Sequence, residues 1–320
     1  MLKKIDSIYR AAVDSRKDSQ GDVFYFSHRD FEGLSFAPYE FLSNEGTILR
    51  GGFYSYEGTE CDELVVFDHG LGAGHTAYMK EIALIAKAGF RVFSYDHTGC
   101  MASGGEGTMG FAHSLSDLDA CIKALKADEN ISFSALSVVG HSWGGFSTMN
   151  IMKYHPDIKS IVAISGFISV EAILKDSIKG LLSPLRRRFM RFEKRTSGEY
   201  AEADARGTLM GASANILIIH SKDDPIVSYK NNARRLIEAL GGRANVRFII
   251  TEGKGHNPNY TKDALLLKYE LDAELKNYRR SAHSDDENAA FIKRFDWDKI
   301  TEQDKEITDE IIKTLKMPKV

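Results

Sequence analysis

A serine between two glycines follows an apolar run near the middle of the chain. Residues 136–139 are apolar apart from Ser137 and lead into Gly140-His141-Ser142-Trp143-Gly144. This is the G-x-S-x-G pattern, in which the serine stands on a sharp turn between a strand and a helix. The glycines leave room for neighbouring backbone, and the helix N-terminus favours negative charge that develops beside the serine. Because average glycine and serine usage gives roughly 0.1 such match by chance in a chain of this length, the pattern predicts Ser142 as a nucleophile.

A serine nucleophile needs a base, and the base needs a carboxylate that orients it. Two later loops provide candidates in the order acid, then histidine, that such strand-turn-helix serines use. His256 lies in a glycine-flanked loop after a predicted strand, and no apolar periodicity explains it as a core residue. It is therefore the predicted base. The loop after the preceding strand carries two adjacent acids, of which Asp224 is preferred because a proline and two apolar residues follow it. Asp223 is interpreted as a solvated neighbour or a cap.

The tetrahedral intermediate of such a reaction needs two N–H donors for its oxyanion. The residue after the nucleophile, Trp143, is predicted to supply one backbone N–H. The loop His69-Gly70-Leu71-Gly72-Ala73-Gly74 follows an early strand, and its glycines allow the backbone to turn an amide toward the site. Leu71 is the predicted second donor. A glycine-rich turn can also be only a tight connection between a strand and a helix, and both interpretations stay open.

These residues must be positioned by the surrounding elements, whose pattern alternates between strand and helix. Such alternation predicts parallel strands with helices on both faces of one sheet. An antiparallel hairpin is expected over 36–57, before this alternation begins. Strands are predicted at 64–67, 91–95, 136–139, 161–164, 216–219 and 246–250. Ligands of such α/β sheets bind at the carboxyl ends of the strands, which is where the serine, the acid and the histidine lie.

Taken together, the HGLG loop, the G-x-S-x-G turn, Asp224 and the Gly255-His256 pair resemble the α/β-hydrolase superfamily. The resemblance runs from the hairpin near 36 to His256. It is strongest to bacterial esterases, monoacylglycerol-lipase-like hydrolases and serine aminopeptidase-like proteins with a helical cap. It implies a catalytic triad of Ser142, Asp224 and His256 and an oxyanion hole formed by the amides of Leu71 and Trp143. Two positions depart from the pattern of the relatives: Ser221 replaces a usual glycine, and Thr98 replaces a frequent arginine.

The segment 166–213 is too long for a plain loop and is interpreted as a helical cap, or lid. The α/β-hydrolase core would then comprise 1–165 and 214–320. An apolar stripe and a basic run, 179–195, fall within the cap. The stripe is formed by Leu181, Leu185, Phe189 and Phe192. In one interpretation the stripe packs on the core; in the other it lines an acyl pocket while the basic face attracts anionic substrates or lipid headgroups.

The two ends of the chain are less informative. Residues 1–20 are consistent with a short amphipathic helix or a loose leader. Near the other end, the charged stretch 284–287 is interpreted as an exposed loop. A final amphipathic helix is expected around 307–315, where isoleucines and a leucine recur at helical spacing.

Composition excludes several classes of protein. The chain has 320 residues, and its 42 basic and 45 acidic side chains give a formal charge of −3, which argues against a chain-wide nucleic-acid surface. Three cysteines, Cys61, Cys100 and Cys121, have no disulfide or zinc spacing. They are interpreted as reduced thiols. With no signal-peptide pattern and no apolar stretch of membrane-spanning length, the chain is predicted to be soluble and cytoplasmic.

Neither a metal nor an organic cofactor is expected. The run Gly70 to His75 superficially resembles a dinucleotide-binding fingerprint, but His75 occupies its third glycine position. The acid Asp96 lies 26 residues after Gly70, further than the usual ~20. The histidines at 69, 75 and 97 lack the spacing of metal ligands.

The predicted activity is hydrolysis of the carboxylic ester of a small-molecule acyl substrate through an acyl-enzyme on Ser142. The same triad would also serve an acyl-thioesterase or a serine aminopeptidase. A non-catalytic binding protein of this fold is disfavoured because all three triad residues are present. The sequence does not indicate an oligomeric state.

Overall fold

The computed structural model describes residues 2–18, 23–58 and 62–319, and for residues 2–6 the backbone alone. Its centre is one eight-stranded sheet with the strand order β1-β2-β4-β3-β5-β6-β7-β8. The strands are β1 (Leu34–Leu42), β2 (Ile48–Tyr56), β3 (Glu63–Asp68), β4 (Arg91–Tyr95), β5 (Ala135–His141), β6 (Ser160–Ile164), β7 (Asn215–Ser221) and β8 (Val246–Thr251). The β1–β2 and β2–β4 pairs are antiparallel and the remaining pairs are parallel. The expected mostly parallel sheet with an antiparallel hairpin is confirmed.

Helices cover both faces of the sheet. They are α1 (Leu2–Val13), α2 (Met79–Lys87), α3 (His113–Ala127), α4 (Trp143–Asn150), α5 (Val170–Ser177), α6 (Arg186–Ser197), α7 (Ala205–Met210), α8 (Ala233–Leu240), α9 (Lys262–Tyr278), α10 (Asp285–Ile292), α11 (Trp297–Ile300) and α12 (Lys305–Lys316). One apolar core lies beneath α1 and α3–α8, and a second lies beneath α2 and α9–α12. Because β5 and β6 are buried on both faces, their sequences are continuous apolar runs rather than alternating ones.

Helices α5, α6 and α7 lie between β6 and β7, in the segment interpreted as a cap. The expected single apolar stripe is wrong at its N-terminal end, because 180–185 is a short 3-10 segment containing Pro184 and Leu181 is fully exposed. Helix α6 begins only at Arg186. Its Phe189 and Phe192 are buried and pack on Tyr9 of α1, with ring centroids 4.0 and 5.8 Å away. The packing interpretation therefore holds for these two rings.

The C-terminal region contains more helix than expected. Ser284 caps α10 by accepting the N–H of Glu287, whose side chain accepts the N–H of Ser284 in return. This capping box makes 284–287 the start of a helix, so its interpretation as an exposed loop is wrong. The expected final helix is confirmed as α12, which buries Ile307, Ile311 and Leu315 against the sheet.

The expected reduced thiols are found at two of the three cysteines. Cys100 and Cys121 are buried free thiols, whereas Cys61 lies outside the described residues. Among the residues that the structure describes, no helix combines the length and hydropathy needed to cross a bilayer.

Candidate active site

The candidate nucleophile stands on a strained turn between β5 and α4. Ser142 has φ 56° and ψ −108°, a left-handed backbone that non-glycine residues adopt at a cost of order 1–3 kcal/mol. Its N–H donates to the Ile164 carbonyl at 2.8 Å. The flanking glycines make the turn sterically possible. A Cβ at Gly140 would lie 2.3 Å from the Thr148 hydroxyl, and one at Gly144 would lie 2.0 Å from the Asp68 carbonyl.

The structure brings the three predicted triad side chains into one hydrogen-bonded line. His256 Nε2 lies 2.8 Å from Ser142 Oγ, and His256 Nδ1 lies 2.8 Å from Asp224 Oδ2. With Nδ1–H donating to the carboxylate, Nε2 is left to accept the serine proton. The Asp224 side chain is fully buried, whereas that of His256 is 13% exposed, so substrate reaches the histidine and not the acid. This is the arrangement that proton transfer from a serine requires.

Asp224 is held as a carboxylate by its surroundings. Burial opposes ionisation, but the hydrogen bond and charge of His256 and the backbone N–H of Val227 together outweigh burial. They hold the pKa of Asp224 below its usual value. Its second oxygen accepts the N–H groups of Ile226 and Val227 at 2.8 and 2.9 Å. The apolar turn after Asp224 therefore orients this carboxylate.

Asp223 joins two loops, a role that the sequence did not reveal. Although exposed, it accepts the hydroxyl proton of Ser221 and the N–H groups of Gly253 and Gly255. These glycines belong to the loop that carries His256. Its interpretation as a solvated neighbour is therefore incomplete, and Ser221, where relatives usually have glycine, supplies one of its bonds. The adjacent acids therefore hold the same histidine in two ways: Asp224 binds its ring, and Asp223 binds the backbone of two glycines in its loop.

The two predicted oxyanion donors both border the cleft at Ser142. Trp143 is the first residue of α4, so its N–H is one of those that a helix cannot satisfy internally. Its indole Nε1 donates to the Phe111 carbonyl at 2.6 Å, which fixes the ring. Leu71 lies in the turn after β3, next to Gly70, whose N–H donates to Tyr78 Oη at 3.2 Å. With the Gly70 amide engaged, Leu71 stays the candidate second donor.

A chain of hydrogen bonds connects the two loops around Ser142. No sequence motif predicted it. Burial, together with the nearby His256 charge, lowers the pKa of His141 to about 3, so the imidazole is neutral. Its Nε2–H donates to the His256 carbonyl at 2.9 Å. Nδ1 then accepts the Tyr78 hydroxyl proton at 3.0 Å. His141 fills the variable position of the G-x-S-x-G motif, but its partners are set by tertiary packing.

The cleft above Ser142 has a volume of about 620 Å³ and a largely apolar wall. Its aromatic and aliphatic lining includes Leu71, Tyr78, Phe111, Phe167, Ile173, Val227, Leu265 and Tyr269. Phe167 and Ile173 come from the segment 166–213. No residue of α6 lines the cleft among the described residues. Phe189 and Phe192 therefore do not line the cleft at Ser142, as the acyl-pocket hypothesis required, because they pack on Tyr9 of α1.

The run that resembled a dinucleotide fingerprint is occupied by buried side-chain contacts. His75 Nδ1 lies 2.7 Å from Asp96 Oδ1, and His75 Nε2 lies 2.9 Å from Tyr54 Oη. A Cβ at Gly74 would collide with Met101 and Asp96. The acid of the would-be fingerprint thus binds the histidine that replaces its third glycine, and its other oxygen accepts the Ala102 N–H, so neither oxygen is left for a ribose hydroxyl.

Comparison with known proteins agrees with this geometry. Residues 59–206 match the family described as "Serine aminopeptidase, S33". Among curated proteins, the proline iminopeptidase of Lactobacillus helveticus is 29% identical over 141 residues, which are 41% of this chain and 47% of that protein. The chain thus spans about half the length of the curated relatives it matches.

Solved structures extend the similarity across most of the sheet. An esterase of Pyrococcus furiosus superposes with a TM-score of 0.60 at 18% identity, covering 84% of this chain and 97% of its own. An acetyl xylan esterase of Paenibacillus sp. R4 gives a TM-score of 0.55 at 16% identity, covering 81% and 88%. The predicted resemblance is confirmed at the level of the superfamily: the chain has the α/β-hydrolase fold.

Proposed function

We propose that this α/β-hydrolase is a serine hydrolase and that its substrates are carboxylic esters of small-molecule acyl compounds. The observation that carries the proposal is the unbroken line from Ser142 through His256 to Asp224, with two contacts of 2.8 Å, at the floor of an apolar cleft. An intact triad also argues against a purely binding role, since a binding protein has no need of an oriented histidine at a strained serine.

In the proposed reaction, His256 Nε2 takes the proton of Ser142 as Oγ attacks the substrate carbonyl. The carbonyl oxygen becomes an oxyanion, which the amides of Leu71 and Trp143 stabilise. The imidazolium, oriented by Asp224, then gives its proton to the departing alcohol, and the C–O ester bond breaks. Water, deprotonated by His256, attacks the acyl-enzyme, and Ser142 regains its proton as the acid leaves. The chain's own residues supply every proton transfer in this cycle.

Charge in the cleft gives an amino-terminal substrate no advantage over an ester. Lys254 and Lys268 both border it, although the Lys254 ammonium pairs with Asp304, and Asp272 is the one carboxylate among the described lining residues. An aminopeptidase must bind a substrate ammonium group, for which carboxylates rather than lysines are suited. The match to the serine aminopeptidase family nevertheless makes an aminopeptidase the second candidate, with Asp272 as the group that would bind the ammonium. An acyl-thioesterase is the third.

We also propose that the segment 166–213 acts as a lid over the cleft, because it contributes Phe167 and Ile173 to the lining. A separate basic groove of about 470 Å³ lies between α1 and α6, lined by Tyr9, Arg10, Arg188, Phe189, Arg191, Phe192, Lys194 and Arg195. It shares no lining residue with the Ser142 cleft. If anionic lipid or substrate contacts this groove, the contact would therefore raise the rate at which substrate meets the protein. It would not touch the acyl group bound at Ser142.

A substrate panel tests the activity. Chromogenic esters of graded chain length, aminoacyl anilides and acyl thioesters would be assayed beside a fluorophosphonate that labels the reactive serine. We expect the esters to be turned over faster than the anilides and the thioesters. Ser142→Ala should lose both labelling and turnover while keeping its melting temperature, and Ser35→Ala, at an exposed site on β1, should keep all three. Labelling that persisted in Ser142→Ala would contradict the mechanism, and faster cleavage of anilides than of esters would favour the aminopeptidase.

A further inference from the structure

We propose that Glu45, His113 and Asp117 form a binding site for a divalent transition-metal ion of the Zn²⁺ class. One ligand atom from each side chain lies within 4.8 Å of the other two. Glu45 belongs to the β1–β2 turn, and the other two residues lie four apart on α3. The site is independent of the proposed hydrolase activity, because none of the three residues lines the cleft at Ser142.

The imidazole of His113 is the side chain that points to a ligand. It is fully buried, and its Nε2 has no hydrogen-bond partner. Its Nδ1 lies 3.5 Å from Ser197 Oγ. In the tautomer that directs Nδ1–H to that hydroxyl, Nε2 carries a lone pair that faces two carboxylate oxygens. Three electron-rich atoms that converge in this way repel one another unless a cation lies between them.

The separations fit a metal better than a hydrogen bond. Nε2 of His113 lies 3.5 Å from Glu45 Oε2 and 3.6 Å from Asp117 Oδ1. Ligand atoms about 2.0–2.1 Å from a tetrahedral Zn²⁺ lie roughly 3.4 Å from one another. One imidazole and two carboxylates are also a donor set that zinc accepts, with the fourth position left to water.

The neighbours of the three ligands are arranged to hold them in place. The second oxygen of Asp117 accepts the Thr98 N–H at 2.8 Å and faces His97 Nδ1 at 3.2 Å. The turn that carries Glu45 is tied to α3 by Asn44, whose amide donates to the Ser116 carbonyl at 3.1 Å. Such outer contacts orient metal ligands and are expected around a built site. Glu45 is also 36% exposed, which gives an ion a way in from solvent.

Metal titration of the full chain tests the site. After dialysis against a chelator, Zn²⁺ would be added to the protein and followed by calorimetry, native mass spectrometry and melting temperature. We expect one ion per chain and a rise in melting temperature of about 3 °C or more at saturation. Co²⁺ in its place should give the intense visible absorption of a four-coordinate ion. Mg²⁺ should bind much more weakly, since it prefers six oxygen ligands.

Matched variants locate the ion. Glu45→Gln changes an exposed turn residue and should fold normally while weakening Zn²⁺ binding at least 10-fold. Glu129→Gln makes the same change on the exposed loop after α3 and should bind like the wild type. No ion bound by the wild type, or equal affinity in wild type and Glu45→Gln, would overturn the proposal. Binding that disappeared in His256→Gln instead would place the ion at Ser142 and would overturn it as well.

Discussion

At the scale of single residues, the two adjacent acids after β7 have separate tasks. Asp224 binds the ring of His256, and Asp223 binds the backbone of the loop on which His256 lies. The same substitution at each position therefore has different consequences for the proposed reaction.

Asp224→Asn should lower kcat on a good ester by about 10⁴-fold, because an amide no longer selects the tautomer with Nδ1–H or stabilises the imidazolium. Asp223→Asn should mainly cost stability, about 1–3 kcal/mol, since N–H donors lose a charged acceptor. Steady-state kinetics and urea unfolding of both variants measure the difference. Equal losses of kcat in the two would show that the assignment of the acid is wrong.

A buried carboxyl on α2 makes stability depend on pH. Burial raises the pKa of Glu81 to about 7, although Asn259 and Gln303 donate to it and partly oppose the shift. The folded chain then holds a proton that the unfolded chain releases near pH 4.5. The stability that this proton provides is present below pH 4.5 and is lost as pH rises toward 7.

Glu81→Gln should remove this dependence. Relative to the wild type, the variant should gain about 2–3 kcal/mol in free energy of unfolding between pH 5 and pH 8. Urea denaturation at the two pH values provides the measurement, with Glu270→Gln on the exposed face of α9 as control. If the wild-type and variant pH profiles run parallel, Glu81 is ionised in the folded state.

Residue types and order along the chain were enough to predict Ser142, Asp224 and His256. The reason is chemical: a nucleophile, an acid and a base were each required at the end of a strand. The Tyr78–His141 pair and the task of Asp223 could not be predicted. Their partners lie between 30 and 115 residues away along the chain, and no local pattern encodes those contacts.

At the scale of elements, the turn between β5 and α4 depends on close approach of backbones. Gly144 packs on the end of β3 so closely that any side chain would have to displace the helix. Gly207 in α7 offers a contrast, because nothing lies within 4 Å of the position its Cβ would take.

Gly144→Ala should destabilise the chain by about 2–3 kcal/mol or more and abolish turnover, because α4 must move away from Asp68 and carries Ser142 with it. Gly207→Ala should instead stabilise by about 0.5–1 kcal/mol through better helix propensity. Thermal unfolding and ester hydrolysis of both variants check this. A Gly144→Ala enzyme with normal turnover would contradict the proposed rigidity of the turn.

Two elements were misinterpreted from the sequence for identifiable reasons. At 181–185 the apolar spacing continued the pattern of α6, but Pro184 cannot donate a helical hydrogen bond and a 3-10 segment forms there. At 284–287 the charges indicated an exposed loop, although Ser284 and Glu287 have the spacing of a capping box. Strands buried on both faces were predicted to within a few residues, because a short and continuous apolar run between turn residues is typical of such a strand.

At the scale of the whole molecule, one buried acid connects three distant parts of the chain. Glu193 of α6 accepts the Tyr9 hydroxyl proton at 2.7 Å and the N–H groups of Phe111 and Ala112 at 3.0 and 2.9 Å. Phe111 in turn accepts the indole N–H of Trp143. The cap segment, α1 and the candidate oxyanion residue thus share one hydrogen-bonded network.

Glu193→Gln should lower the free energy of unfolding by about 1–3 kcal/mol, because the new amide cannot accept the Ala112 N–H and leaves a buried donor unsatisfied. Glu199→Gln, at an exposed position just after α6, is the matched control and should change little. Denaturant unfolding of both variants measures the effect. A loss in Glu199→Gln as large as in Glu193→Gln would contradict this role.

The contact between α1 and α6 also has a consequence for how the chain is made. Tyr9 and Glu193 are 184 residues apart, and ribosomes add about 5–20 residues per second, so roughly 10–40 s pass between their synthesis. Throughout that interval the nascent chain carries an amphipathic helix whose partner does not yet exist. Helix α1 therefore leaves the ribosome well before the helix on which it docks, and in the meantime its apolar face is available to chaperones.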